Sequence, residues 1–162
     1  MTFHRILLAW VGLAALAMSA CASHGSTDLV ETRAVVTAST DVNPDISGRP
    51  SPVVVRVFQL RSDAEFLSAD FFNLYSNEKT ALGGSLVSRE EYVMHPGERR
   101  EARIGLAPDA GFIGVIAAFR DIQGAHWRAL QLRPQRTFGH GFAKVPVMIA
   151  LDRDALKLSL KK

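Results

Sequence analysis

Hydrophobic and polar residues alternate along most of this chain with a period of two, in short runs separated by Gly, Pro, Asn and Asp. That period places successive side chains on opposite faces of a strand. In the first run, residues 28–40, Val30, Thr32, Ala34 and Val36 share a face and Glu31 and Arg33 the other, which predicts a half-buried strand. The run 53–60 differs. Val53, Val55 and Val57 share one face, but the other carries Val54, Phe58 and Leu60 beside Arg56, which predicts a central strand covered on both sides. Between these runs, residues 43–52 cannot be helical, because Pro44, Pro50 and Pro52 remove donors and hold the preceding residues extended. A stiff polar loop held by the most buried strand is a common mounting for a binding loop.

After Arg61 the period changes. Ser62, Asp63, Ala64 and Glu65 have the spacing of a capping box, and residues 70–75 read as a second helical turn ending before Gly83 and Gly84. Phe66, Phe71, Phe72 and Tyr75 need cover, so this segment is expected to fold as a flap over Phe58 and Leu60, with an aromatic ligand pocket as the sharper alternative. A meander follows: a strand at 86–94, a turn at 95–98, a returning strand at 99–106, and a second two-faced apolar strand at 112–120. Gln123-Gly124 marks a hairpin tip with its return at 127–133, where Asp121 is placed to pair with Arg120 or Arg128. Residues 134–143 form a loop, and strands at 145–151 and 156–160 flank a turn at 152–154. Short strands at this spacing predict an all-β antiparallel sandwich of about eight strands, with a short helical insertion after the second.

The first twenty residues stand apart. Arg5 precedes a short apolar run that ends in Met18-Ser19-Ala20-Cys21, the design of a secretory signal peptide. The run is near a dozen residues, short of the roughly 20 that a spanning helix needs. Cys21 is the only cysteine, so no internal disulfide can form. Its setting resembles the bacterial lipobox, with Met18 in place of the usual leucine. That resemblance implies a signal at 1–20, acylation of Cys21 and, with Ala22 rather than aspartate following, sorting to the outer membrane. Each buried methylene adds about 0.8 kcal/mol, so several acyl chains hold a domain firmly. Residues 21–27 then form a polar tether around His24, and 28–162 a single domain. The signal removes one charge from a net of +3, and no basic cluster interleaves with aromatics, which argues against a nucleic-acid partner.

Catalytic and metal chemistry is not apparent. His4, His24, His95, His126 and His140 do not share metal-ligand spacing, and His140 lies between two glycines in a loop. Glu90 and Glu91 are adjacent in a strand and face opposite ways. Gly83-Gly84-Ser85 lacks the frame of a nucleophile elbow. No enzyme activity and no cofactor are expected.

One resemblance covers nearly the whole chain after the signal. The lipobox, Asn43-Pro44-Asp45, the segment from Gly48-Arg49-Pro50 through Leu60, Ala69-Asp70-Phe71-Phe72, Pro96-Gly97, residues 114–121 and Trp127-Arg128 occur in an order that resembles the outer-membrane lipoproteins of the type VI secretion system, the TssJ (VasD, SciN) family. The resemblance implies a transthyretin-like sandwich and a lipid anchor on the periplasmic side of the outer membrane. It also implies binding to the periplasmic domain of TssM, in a complex that also contains TssL, through Asn43, Pro44, Asp45, Ile46, Ser47, Gly48 and Arg49. The rival reading is a transthyretin-like periplasmic lipoprotein that binds a small ligand.

Overall fold

The structure, a computed structural model, describes residues 30–134 and 145–161. The signal at 1–20, Cys21, Ala22, the tether and the loop around His140 lie outside the described residues. Strands β1 (Val30–Ala38), β4 (Arg99–Leu106), β7 (Val147–Leu151) and β8 (Leu156–Leu160) form one sheet in the order β4-β1-β7-β8. The facing sheet runs β3 (Leu86–Met94), β2 (Val53–Leu60), β5 (Phe112–Ala118), β6 (Arg128–Leu132). The β-sandwich is as expected, and every ladder between named strands is antiparallel except β1 with β7, which run parallel. Parallel pairing needs a long crossover, and the whole intervening chain supplies it here.

β2 lies between β3 and β5 and is buried on both faces. Val53, Val55 and Val57 meet Ala34, Val36, Val115, Ile149 and Leu151 in the core between the sheets. On the opposite face Phe58 and Leu60 join Ile116 beneath three short helices, α1 (Ala64–Ser68), α2 (Phe71–Ser76) and α3 (Glu78–Leu82). Phe66, Leu74 and Leu82 seal this second core. A Cβ on Gly114 would come within 2.8 Å of the Phe66 ring. The segment is therefore a packed flap at this point, without room for a ligand.

Two local expectations fail. At Ser62–Glu65 the capping box is incomplete: Ser62 Oγ accepts from Ala64 N–H (3.3 Å), one residue short of the reciprocal pattern. The N-cap position of α1, Asp63, makes no side-chain cap bond; the helix that is capped is α2, where Asp70 accepts from the Asn73 backbone N–H and side-chain amide, both at 2.8 Å. Asp121 does not pair with Arg120 or Arg128. Its carboxylate accepts from Gly124 N–H (3.1 Å), while Arg128 Nη1 donates to the carbonyls of Phe66, Leu67 and Ala69 at 2.8–3.0 Å. Carbonyls at the end of a helix lack intrahelical partners, and one guanidinium nitrogen reaches all three here. Arg128 thus clamps the flap to the sheet.

Candidate functional site

β1 begins at one end of the sandwich, where Val30 lies opposite Leu106, and runs for nine residues, about 30 Å, to the other end. The connection to β2 emerges there. Its base is Asn43, only 4% exposed and one of the few residue types that adopt a positive φ, here 51°. Asn43 N–H donates to Arg153 O (2.8 Å), its side-chain amide donates to Pro52 O (2.7 Å), and its Oδ1 accepts from Arg120 N–H (2.7 Å). One side chain and its backbone thus tie the loop to β2, to the end of β5 and to the β7–β8 turn.

Beyond Asn43 the loop closes on itself. Asp45 N–H donates to Arg49 O (2.9 Å) and Gly48 N–H to Asp45 O (2.8 Å). The Asp45 carboxylate accepts from Ser47 N–H (2.8 Å), Arg49 N–H (3.0 Å) and Arg49 Nε (2.8 Å). The Arg49 backbone N–H, with help from its guanidinium and Ser47 N–H, holds the Asp45 carboxyl below its usual range. Gly48 takes φ 77°, a region that favours glycine. The turn thrusts Ile46 fully into solvent, at 108% relative exposure. The loop is thus held by its own hydrogen bonds and presents one large apolar side chain to solvent.

This loop is one wall of a groove of about 660 Å³. Phe119, Arg120 and Asp121, after β5, and Arg153 and Asp154, in the β7–β8 turn, form the remainder. Asn43, Pro44, Asp45 and Ile46, expected from the sequence, line it, and Ser47, Gly48 and Arg49 complete the turn beside it.

The family model of the type VI secretion lipoproteins (T6SS-SciN: VasD, EvfM, TssJ, VC_A0113) matches residues 31–154. The chain belongs to that family. Among solved structures, the type VI lipoprotein TssJ1 from Pseudomonas aeruginosa is 28% identical with a TM-score of 0.75, over 83% of this chain and 98% of that one. Lip from Serratia marcescens, a membrane-bound component of the type VI secretion system, is 30% identical with a TM-score of 0.74, over 83% and 99%. A chain in a structure of the TssM C-terminal domain from EAEC is 25% identical with a TM-score of 0.64, over 81% and 98%. No curated protein matches the chain.

The remaining chemistry fits this type VI lipoprotein fold as scaffolding. Among the described residues no group of three His, Cys, Asp or Glu side chains is placed to hold a metal ion. Glu90 and Glu91 part as expected: Tyr92 OH donates to Glu90, whereas Glu91 accepts from Arg56 Nε (2.6 Å) on the flap side. Arg56 is itself largely buried, 4.2 Å from the centre of the Tyr75 ring and 3.1 Å from Glu78. His95 lies in the β3–β4 turn, where its N–H donates to Glu98 (2.8 Å). Sequence reasoning missed the groove residues after β5 and in the β7–β8 turn. Phe119, Arg120 and Asp121 fell within the family-like pattern, but nothing local revealed that Asn43 bonds to the Arg120 backbone.

Proposed function

We propose that the chain is an outer-membrane lipoprotein of the type VI secretion membrane complex, held by acyl chains on Cys21 and binding the periplasmic domain of TssM through residues 43–49. TssL belongs to the same complex, and the protein works as a tether, not as a catalyst. The observation that carries the reading is the position and form of the loop. It is locked by internal hydrogen bonds, tipped by bare Ile46, and set at the far end of the sandwich from the start of β1. The nine residues from Cys21 to Val30 join the domain at that start and reach roughly 30 Å at most, which puts the loop at the end of the sandwich remote from the anchor's attachment. Locking it in advance reduces the entropy lost on docking. Among the described residues no helix is long and apolar enough to cross a membrane. The family and the likeness to a chain from a structure of the TssM C-terminal domain support the choice of partner.

The test replaces Asp45-Ile46-Ser47 with Gly-Ser-Gly. Affinity for the TssM periplasmic domain should fall about tenfold or more, near 1.4 kcal/mol, with little change in melting temperature. Val55→Asp is the contrast, because an unpaired charge between the sheets unfolds the domain. Native affinity in the loop variant refutes the reading. The anchor has its own test: Cys21→Ser should abolish palmitate labelling and release the protein from membranes.

A further inference from the structure

A stable protein interface buries about 800 Å² per partner and engages roughly 20–30 residues on each side. Residues 43–49 supply at most about a third of that number. If they bind a partner, more of the same end of the sandwich must contribute. On the His95–Glu98 side the β3–β4 turn is pinned to the end of β1, since Gly97 N–H donates to Ser39 O (3.0 Å) and Ala38 N–H to Glu98 O (2.8 Å). On the other side lies the open groove.

Its construction suits docking. Asn43 bonds to the backbone of Arg120 and of Arg153, so both walls and the loop are held as one body. Buried Phe119 and the apolar groups of Pro44 and Ile46 give it an apolar lining. Around the rim the charges are unequally committed. Asp45 is taken by Arg49, Asp121 by Gly124 N–H, and Arg153 sits 3.9 Å from Asp41. Arg120 is exposed and makes no ion pair among the described residues, though its charge is close enough to help hold the Asp45 carboxyl low. Exposed Asp154 uses its backbone carbonyl to accept from His126 N–H (2.9 Å).

We propose that this groove is the second half of the partner-binding surface. It takes a segment of the same protein that the loop binds, which places an apolar side chain against Pro44, Ile46 and Phe119 and a carboxylate at Arg120. The inference rests on the loop reading above and extends it. A partner that grips only the loop contacts one lip; a partner seated in the groove contacts three chain segments fixed relative to one another, which increases contact area without further ordering cost.

The experiment measures binding of the partner's periplasmic domain to the full-length protein in detergent. Asp154→Trp fills the groove from its rim and should weaken binding tenfold or more; Arg120→Ala should weaken it about threefold. Arg103→Trp, on an 85% exposed side chain near the start of β1, is the control and should bind normally. Melting curves should stay within a few degrees of the native protein, since each changed side chain is exposed. Hydrogen exchange provides a readout without mutation: amides at 119–124 and 152–155 should gain protection in the complex, together with those at 45–49. If the groove variants bind normally and only 45–49 gain protection, the groove is no part of the site while the loop reading stands. If the Gly-Ser-Gly loop variant also binds normally, both fall.

Discussion

Gln59 continues the inward face of β2 past Val53, Val55 and Val57, yet it is polar and only 3% exposed. Its Nε2 donates to Gly105 O (2.8 Å) and its Oε1 accepts from Ala107 N–H (2.8 Å), so the side chain spans the sandwich to β4 and its end. One amide bonded to the carbonyl of residue 105 and the N–H of residue 107 makes the same two bonds that one residue of a parallel neighbouring strand would make. Gln59→Leu keeps much of the volume but leaves both backbone groups without this partner. Each buried group so orphaned costs about 1–3 kcal/mol, partly offset by the apolar gain of leucine, so a net loss of about 2–4 kcal/mol is expected. Against a total of about 5–15 kcal/mol this is large, and the melting temperature should fall by about 10 °C. Gln59→Glu refines the test. Burial raises its carboxyl pKa, and only the protonated form can donate to Gly105. A raised folded-state pKa stabilises below the unfolded value, about 4.3, and that contribution fades as pH rises through the folded value. The deficit of Gln59→Glu against the native protein should therefore shrink as pH falls from 7 toward 4, whereas that of Gln59→Leu should not. Calorimetry across this range decides it. A Gln59→Leu midpoint within 1 °C of native, or parallel pH profiles for the two variants, refutes the reasoning.

Two further outcomes follow from the described contacts. Arg128→Met removes the donor to three flap carbonyls, so amides of 64–76 should exchange at least tenfold faster while the core between the sheets keeps its protection. The Asp45 carboxyl is held below its usual range by Arg49 N–H, then by the Arg49 guanidinium and Ser47 N–H; loop order is thus present above the unfolded pKa and lost only as pH falls through the lower folded value. Amide shifts of Ser47 and Arg49 should stay constant from pH 7 to about 4 and move together below that.

The sandwich was legible because its information is local. A period of two marked the strands, and apolar residues on both faces of β2 and β5 marked the two central positions, each with a core above and below. The helical insertion was legible as a flap, but its cap was misassigned. Ser62 and Asp70 precede different helices; the backbone path after Arg61 puts Asp63 at the N-cap of α1 and leaves Ser62 one residue too early, while Asp70 stands at the N-cap of α2. Arg128 was misread for a related reason. From its strand position Asp121 was a reasonable partner, but three orphan carbonyls at a helix end attract a guanidinium more than an exposed aspartate already engaged by Gly124. Gln59 and Asn43 left no signal at all. Each is a single polar residue whose partners lie 46 and 77 positions away. The groove belongs to the same category, since it exists only because Asn43 joins three distant segments.

Anchor and loop also stand in a definite mechanical relation. On the reading proposed above, with an anchor at Cys21 and a partner on the loop, a pull between the two would enter β1 at Val30 and leave it at Ala38, along the axis of the strand. That strand is not at an edge. It is paired with β4 from Val30 to Thr37 on one side and with β7 from Ala34 to Ala38 on the other. Ladder hydrogen bonds lie across the strand direction, so an axial load strains many of them together instead of opening them one at a time. The loop end is secured in the same sense: Ser39 N–H donates to Leu151 O (2.8 Å) and Ser51 N–H to Val42 O (3.1 Å), carrying the load from β1 to its neighbours before it reaches Asn43. A strand at an edge, or a loop on the same end as the tether, would have been loaded by peeling. The parallel ladder of β1 with β7 is thus also one of the two that keep β1 internal, where a tethering protein needs its strongest connection.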